Sequence, residues 1–444
     1  MGRLLVARYV SFITTWECGK VNGVADLLPF DEHAFSRELI ELDSWQRRLD
    51  TAGSLVMSWD GRLRRDLEAA AVAASTSMEG VPVTVDEVRR ILAGDRPASV
   101  SVEDADLVSG YRDAMKYVQR RADDPAFEWS AELIKGIQDK VLAGNFAKGA
   151  ARYGKGRWVA DSITREPLFA PPAESLVPRL IDQACRRMNT WSAHPALRSA
   201  WIHVAIAAIH PFRDGNGRTA RVLSSLAMYR GGFKRPEFCS LEEWWGRHRV
   251  AYYDAFSCLG AEFKGTTDVT PFVAAHIAAQ VSQVRALDLR LRVDRRIWMA
   301  LEALCDQRGV PRRAANALWD AFYERDVQPL YYRKLADVGE VTATKDLRGL
   351  RAAGLLISTG QTRARRYLGT QALYTAIAEV LALPDGADTR DAVVAELTRN
   401  TPVDQMIFST DSATGSDNAT AVPAPGFGFS VSGAGYVTAG KRPN

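Results

Sequence analysis

At 444 residues the chain is too long for one ordinary core, so two or three domains are expected. Its 47% hydrophobic and 25% charged residues are those of a soluble globular protein, its net charge is +4, and no apolar run approaches the roughly 18 residues that would suggest a membrane span. Five scattered cysteines (Cys18, Cys185, Cys239, Cys258, Cys305), odd in number and without a Cys-x-x-Cys spacing, argue against zinc or redox work and predict reduced thiols in a cytoplasmic protein.

Residues 1–60 hold tryptophans and other hydrophobics, read here as a helical extension packing on a catalytic core. The basic start, Met1 to Arg8, has no small-residue cleavage site before Glu17, so no secretory leader is expected. Residues 62–79 are rich in alanine and predict a helix that stops at Gly80, a suitable C′ residue. Between residues 141 and 160, glycines flank a short basic, β-prone run, which predicts a hairpin. Residues 195–209 have no glycine and only the leading proline, so they read as a buried helix that Pro211 ends.

The next twelve residues carry the chemistry: His210-Pro211-Phe212-Arg213-Asp214-Gly215-Asn216-Gly217-Arg218-Thr219-Ala220-Arg221. Glycines at 215 and 217 let the backbone turn successive amides toward one point, and a helix expected from about Gly217 aims its positive dipole end there too. Arg218 and Arg221, three apart on that helix, share a face from which guanidinium forks can grip phosphate oxygens, with Thr219 between them. Asp214 supplies a carboxylate suited to Mg²⁺, which usually takes one or two protein carboxylates plus phosphate oxygens. His210 is placed to accept a hydroxyl proton near neutral pH. Together these groups suit a nucleoside triphosphate.

The run resembles the signature of Fic-domain proteins, His-Pro-Phe-x-Asp/Glu-Gly-Asn-Gly-Arg-x-x-Arg, matched at every defined position from His210 to Arg221. The resemblance implies a mainly α fold, a Fic-type helical bundle with a short β-hairpin flap, over residues 61–285. It implies transfer of AMP from ATP to a Ser, Thr or Tyr hydroxyl of a protein, with pyrophosphate leaving. His210 would be the general base, Phe212 the loop's anchor in the core, and Asp214 the Mg²⁺ ligand. Gly215, Asn216 and Gly217 would bind the α- and β-phosphates, Arg218 and Arg221 the β- and γ-phosphates. Ser75-Thr76-Ser77-Met78-Glu79-Gly80 is similar to the inhibitory motif Ser/Thr-x-x-x-Glu-Gly/Asn of the class whose inhibitory helix precedes the core. That likeness implies that Glu79 pairs with Arg221 and denies the γ-phosphate its place. The run at 153–160 is similar to the flap that pairs with a target's backbone, which makes Arg157, Trp158 and Val159 target contacts. Residues 240–256 resemble the helical segment that closes the nucleotide pocket. Tyr252 and Tyr253 would point about 100° apart on a helix, and Tyr253 is assigned to ATP. His203, one heptad before His210, is read as a packing and hydrogen-bonding residue.

From residue 290 to 367 there are 16 basic and 9 acidic residues, a local +7 that exceeds the whole chain's +4. Helices are expected over 295–308, 310–325, 330–339 and 342–353, then a hairpin around Gly360. Residues 290–380 resemble a winged helix-turn-helix domain, with Lys345, Arg348 and Arg351 outward on the recognition helix and Arg363, Arg365 and Arg366 on the wing. Residues 400–444, rich in Ser, Thr, Gly, Ala and Pro, read as a disordered tail. The partners so expected are ATP, a protein bearing a hydroxyl and, through residues 290–380, DNA, with no membrane. A homodimer, a nucleotide-sensing DNA-binding regulator, another nucleotide and AMP removal stay open.

Overall fold

The structure is a computed structural model that describes residues 27–51, 60–145, 149, 152–154, 157, 159–160, 166–234, 241–360 and 365–401. Most of the N-terminal extension, Trp158, Arg363 and the tail beyond Thr401 lie outside them. The chain divides between Val284 and Arg285 into two compact units.

The first unit is helical. After α1 (Ser36–Thr51) comes α2 (Asp60–Met78), which turns at Gly80 (φ 83°), a backbone conformation that glycine adopts without steric cost. Then α3 (Val85–Leu92) starts with a capping box, in which Thr84 and Glu87 each satisfy the other's backbone amide. Ser101 and Ser130 cap α4 (Val102–Ala122) and α5 (Ala131–Val141). A two-stranded antiparallel flap, β1 (Val159–Ala160) on β2 (Pro167–Phe169), precedes α6 (Val177–Thr190).

At the centre, α7 (Pro195–Ile209) packs along α8 (Asn216–Arg230). Both are buried almost all round, since α7 is apolar on every face: Trp201, Ile202, Val204, Ala205 and Ile206 have no exposed surface. Burying a side chain such as Ile202, Val204 or Ile206 contributes about 1.5–3 kcal/mol, so the loop joining these two helices stands on a deeply buried pair of helices. The segment expected as one helix over 240–256 is two, α9 (Glu242–Arg247) and α10 (Arg249–Asp254). The break is at His248, whose backbone leaves helical geometry (φ −119°, ψ 46°) while its ring stacks on Trp244.

The helix expected from residue 295 begins much earlier, because α11 (Thr270–Gln307) runs for 38 residues through the step in charge. No glycine or proline lies between Pro271 and Gly309 to stop it. The second unit continues with α12 (Ala315–Phe322), α13 (Pro329–Ala336) and α14 (Glu340–Ala352). An antiparallel hairpin follows, β3 (Leu356–Thr359) paired with β4 (Arg366–Gly369) from Leu356↔Gly369 to Thr359↔Arg366. Two helices, α15 (Gln371–Val380) and α16 (Arg390–Arg399), complete it. On α14, Leu347 and Leu350 are buried while Lys345, Arg348 and Arg351 are exposed. Among the described residues no helix is long and apolar enough to cross a membrane.

Candidate active site

The loop between α7 and α8 is fixed from four sides. Pro211 prevents α7 from continuing, and His210 ends it in the left-handed region (φ 47°), unusual for a residue with a side chain. The His210 amide still closes the last turn onto the Ile206 carbonyl at 2.9 Å. Arg157 reaches across from the flap: its guanidinium donates to the carbonyls of Ile209 (2.9 Å), Pro172 (2.7 Å) and His210. Phe212 is wholly buried, and the Asn216 side chain clasps both of its main-chain groups, accepting from the Phe212 amide at 2.9 Å and donating to its carbonyl at 2.8 Å. Gln138 on α5 donates to the Asp214 carbonyl at 3.1 Å. The flap joins as well, with Tyr153 bridging to Phe212 and the Gly154 amide on the Pro211 carbonyl. A Cβ at 154 would lie 2.4 Å from the Arg213 nitrogen, so glycine is required for this approach.

Gly215 (φ 80°) caps α8, turning its own amide onto Asp214 Oδ1 at 2.6 Å. The Thr219 amide bonds to the Gly215 carbonyl, and Thr219 Oγ1 is buried with no partner among the described residues. The amides of Asn216, Gly217 and Arg218 are therefore the ones in the first turn without intrahelical acceptors, and they form the anion-binding end of a 15-residue helix. Sequence reasoning had included Gly215 in that nest; its amide serves Asp214 instead. Arg218 is buried, with Nη1 on the Val141 carbonyl (3.1 Å) and Nη2 on Asp214 Oδ1 (3.2 Å).

Glu79 lies at the head of α8. A Cβ on Gly217 would fall 2.3 Å from Glu79 Oε1, so the carboxylate lies against the backbone of the first turn of α8. Arg221 is buried and grips the end of α2: Nη2 donates to Glu79 Oε1 (2.9 Å) and to the Ser75 carbonyl (3.0 Å), and Nε donates to Ser75 Oγ (2.9 Å). Burial by itself would raise the Glu79 carboxyl, but the positive charges of Arg221 and Arg218 bring it below its ordinary value, so it is ionised at neutral pH. The pairing leaves neither charge stranded in a poorly solvated place.

His210 stands at the loop entrance. Removal from water is the main cause that pulls its imidazole down to about 4; the Arg157 charge acts the same way, and a hydrogen bond to the Ala207 carbonyl and the Glu79 charge oppose it. It is therefore unprotonated at neutral pH and able to accept a proton.

Asp214 is the carboxylate on this loop, with its side chain 37% exposed. Only Oδ1 is engaged, by Gly215 and Arg218, and no hydrogen bond to Oδ2 occurs among the described residues. A Mg²⁺ held by one protein carboxylate and phosphate oxygens fits this donor set, whereas no group of three or more His, Cys, Asp or Glu side chains gathers into an all-protein metal site among the described residues.

Two adjacent tyrosines divide their work. Tyr253 is 55% exposed at the rim and its hydroxyl donates to the Met78 carbonyl at 3.0 Å, at the C-terminal end of α2. Tyr252 is buried, and its hydroxyl accepts from Arg221 Nη1 at 3.1 Å. Sequence reasoning placed no role on Tyr252, because a buried aromatic beside other aromatics carries no mark that distinguishes a ligand of arginine from core. Arg157, expected as an outward contact for a target, faces the catalytic loop's carbonyls. Val159 lies in β1 opposite Phe169.

Residues 127–228 match the model of the Fic/DOC family. It is 28% identical over 191 residues to the protein adenylyltransferase Fic of Nematostella vectensis, covering 41% of this chain and 42% of that one. It is 27% identical over 234 residues to protein adenylyltransferase fic-1 of Caenorhabditis elegans, covering 50% and 42%. The match thus spans about two fifths of the length of these relatives. Its fold is similar to a crystal structure of a Fic family protein from Desulfovibrio desulfuricans G20, with a TM-score of 0.48, 17% identity, and 77% of this chain and 98% of that one covered.

Proposed function

We propose that this protein transfers AMP from ATP to a side-chain hydroxyl of a protein and that Glu79 holds it at rest. The observation that carries this reading is the arrangement at the head of α8: the Glu79 carboxylate lies against Gly217 and is paired with the arginine that a triphosphate would need. With ATP in that place, the three free amides of the first turn hold its phosphates and Arg221, released from Glu79, binds the γ-phosphate. His210 takes the proton of the target hydroxyl as its oxygen attacks the α-phosphorus. The bond from the α-phosphorus to the bridging oxygen of the β-phosphate breaks, and pyrophosphate leaves on the opposite side. Mg²⁺ bound by Asp214 and the phosphates would neutralise charge on the leaving group. Ser, Thr and Tyr all offer the required nucleophile, and a strand of the flap would offer main-chain groups to align it.

The test uses the Glu79→Gly protein with Mg²⁺ and ATP labelled at either the α- or the γ-phosphate. Label carried from the α position alone supports AMP transfer. Label from γ alone makes the protein a kinase, and label from neither makes the domain a binding module.

A second reading concerns the second unit. Three helices followed by a hairpin have the order of a winged helix, and Lys345, Arg348 and Arg351 stand exposed on α14, the helix that would enter a groove. On this reading the unit binds duplex DNA through phosphate contacts, and its affinity falls steeply with salt. A mobility shift with duplex DNA that weakens as salt rises supports it, and no binding at low salt dismisses it.

A further inference from the structure

Arg221 is held by groups from two parts of the chain. Ser75 lies on α2 and Glu79 directly follows its last residue, and under the reading above Glu79 must withdraw before ATP can bind productively. Tyr252 belongs to α10, so its bond to Arg221 comes from an element other than the one that carries Ser75 and leads to Glu79. The Tyr252 hydroxyl in turn lies 3.2 Å from Nε2 of His203, on α7.

The direction of this chain follows from chemistry. A guanidinium can only donate, so the Tyr252 oxygen accepts from Arg221 and its own proton is free for His203. His203 can take it only as a neutral imidazole with Nε2 bare. Its burial, followed by the neighbouring His276 and Arg221, pulls the imidazole well below its ordinary range and keeps it neutral. The ring is also fixed in place, with ring centroids of Phe272 at 5.4 Å, Tyr252 at 5.9 Å and Phe256 at 6.0 Å. The proton left on Nδ1 has no protein partner among the described residues; His203 lines a small cavity of about 10 Å³, room for one water.

We propose that Tyr252, oriented by His203, is the positioning residue that keeps Arg221 aimed at the γ-phosphate after Glu79 has left. This inference rests on the AMP-transfer reading for the place of the triphosphate. Tyr252 touches no nucleotide in it: the hydroxyl acts only through the guanidinium. An arginine freed from Glu79 with no second tether would lose its aim and spend part of its time elsewhere in the site, whereas one bonded to Tyr252 stays pre-aimed.

The test reads nucleotide length. In the Glu79→Gly protein, affinities for AMP, ADP and ATP are measured by calorimetry with Mg²⁺ present, before and after Tyr252→Phe. The expected result is an ATP affinity about fivefold weaker, with AMP affinity unchanged and the KM for ATP raised more than kcat is lowered. Equal weakening of AMP and ATP, or no weakening of ATP, overturns the proposal. His203→Leu should reproduce the selective loss, and His203→Gln, which retains an acceptor, should restore ATP affinity. If Tyr252→Phe does not fold, as judged by thermal unfolding, that histidine pair makes the same comparison, and equal ATP affinity in Leu and Gln overturns the idea. Failure of AMP transfer itself would show separately, as absent α-label incorporation by Glu79→Gly with Tyr252 intact.

Discussion

Glu79 and Gly217 are matched in shape: the carboxylate oxygen of the one lies where a side chain of the other would begin, 2.3 Å from an added Cβ. On the reading proposed above, the backbone surface that a phosphate would need is the one the Glu79 carboxylate lies against. A single substitution at this glycine tests whether the two residues meet.

Gly217→Ala should displace Glu79 from the head of α8. Overpacking of this kind costs about 1–3 kcal/mol, less where a flexible side chain can yield. We expect a loss of stability toward the low end of that range with Glu79 present and a smaller one in the Glu79→Gly protein, read by urea unfolding of the four proteins in a double-mutant cycle. Equal losses in both backgrounds would mean that the two residues do not meet.

Asn216→Ala removes both side-chain bonds to Phe212 and leaves a buried amide and carbonyl without partners. The expected cost is on the order of 2 kcal/mol, seen as a lower urea midpoint with unchanged slope. A change under about 0.5 kcal/mol, within the scatter of an ordinary surface substitution, would show that the clasp is dispensable.

Arg157→Met removes the brace on the carbonyls of Ile209 and His210. Loss of aim at the base should lower kcat of the Glu79→Gly protein by about tenfold or more, with little change in the KM for ATP. If Arg157 instead meets the target, kcat will hold and the KM for the target protein will rise.

Acid should act in a stated direction. His210 is drawn down to about 4 and His276 to about 3, both below the usual value near 6.5, and burial is the leading cause for each. The unfolded chain thus takes up protons first, so these groups add no penalty above about pH 6.5 and progressively destabilise the fold as pH falls toward their folded values. For catalysis, the acid limb of kcat in the Glu79→Gly protein should lie near or below pH 4 to 5, since removing Glu79 removes a charge that raises His210. A limb near pH 6.5 would place His210 in water.

Much of this was legible in the residues, and the illegible part has physical causes. The twelve-residue run from His210 fixed the loop, because proline and two glycines constrain backbone whatever packs around it. Glu79 was legible only through the likeness of Ser75–Gly80 to the inhibitory motif and its place ahead of that run. The contacts of Arg157 and Tyr252 were not, since an arginine on a hairpin reads the same whether it faces a target or a carbonyl, and which of two adjacent tyrosines is buried depends on what their helix packs against. The long α11 was missed where a charge step suggested a boundary, although its unbroken run without glycine or proline already argued for one helix.

The central claim is that Glu79 occupies the γ-phosphate's arginine and so restrains AMP transfer. The most direct measurement is the initial rate of α-label incorporation into protein by the unaltered chain, by Glu79→Gly and by Glu79→Gly with His210→Ala, at equal ATP and Mg²⁺. The account predicts a rate for Glu79→Gly at least about tenfold above the unaltered chain, the worth of one charge-assisted pair, and none with His210→Ala. Equal rates with and without Glu79 would contradict it.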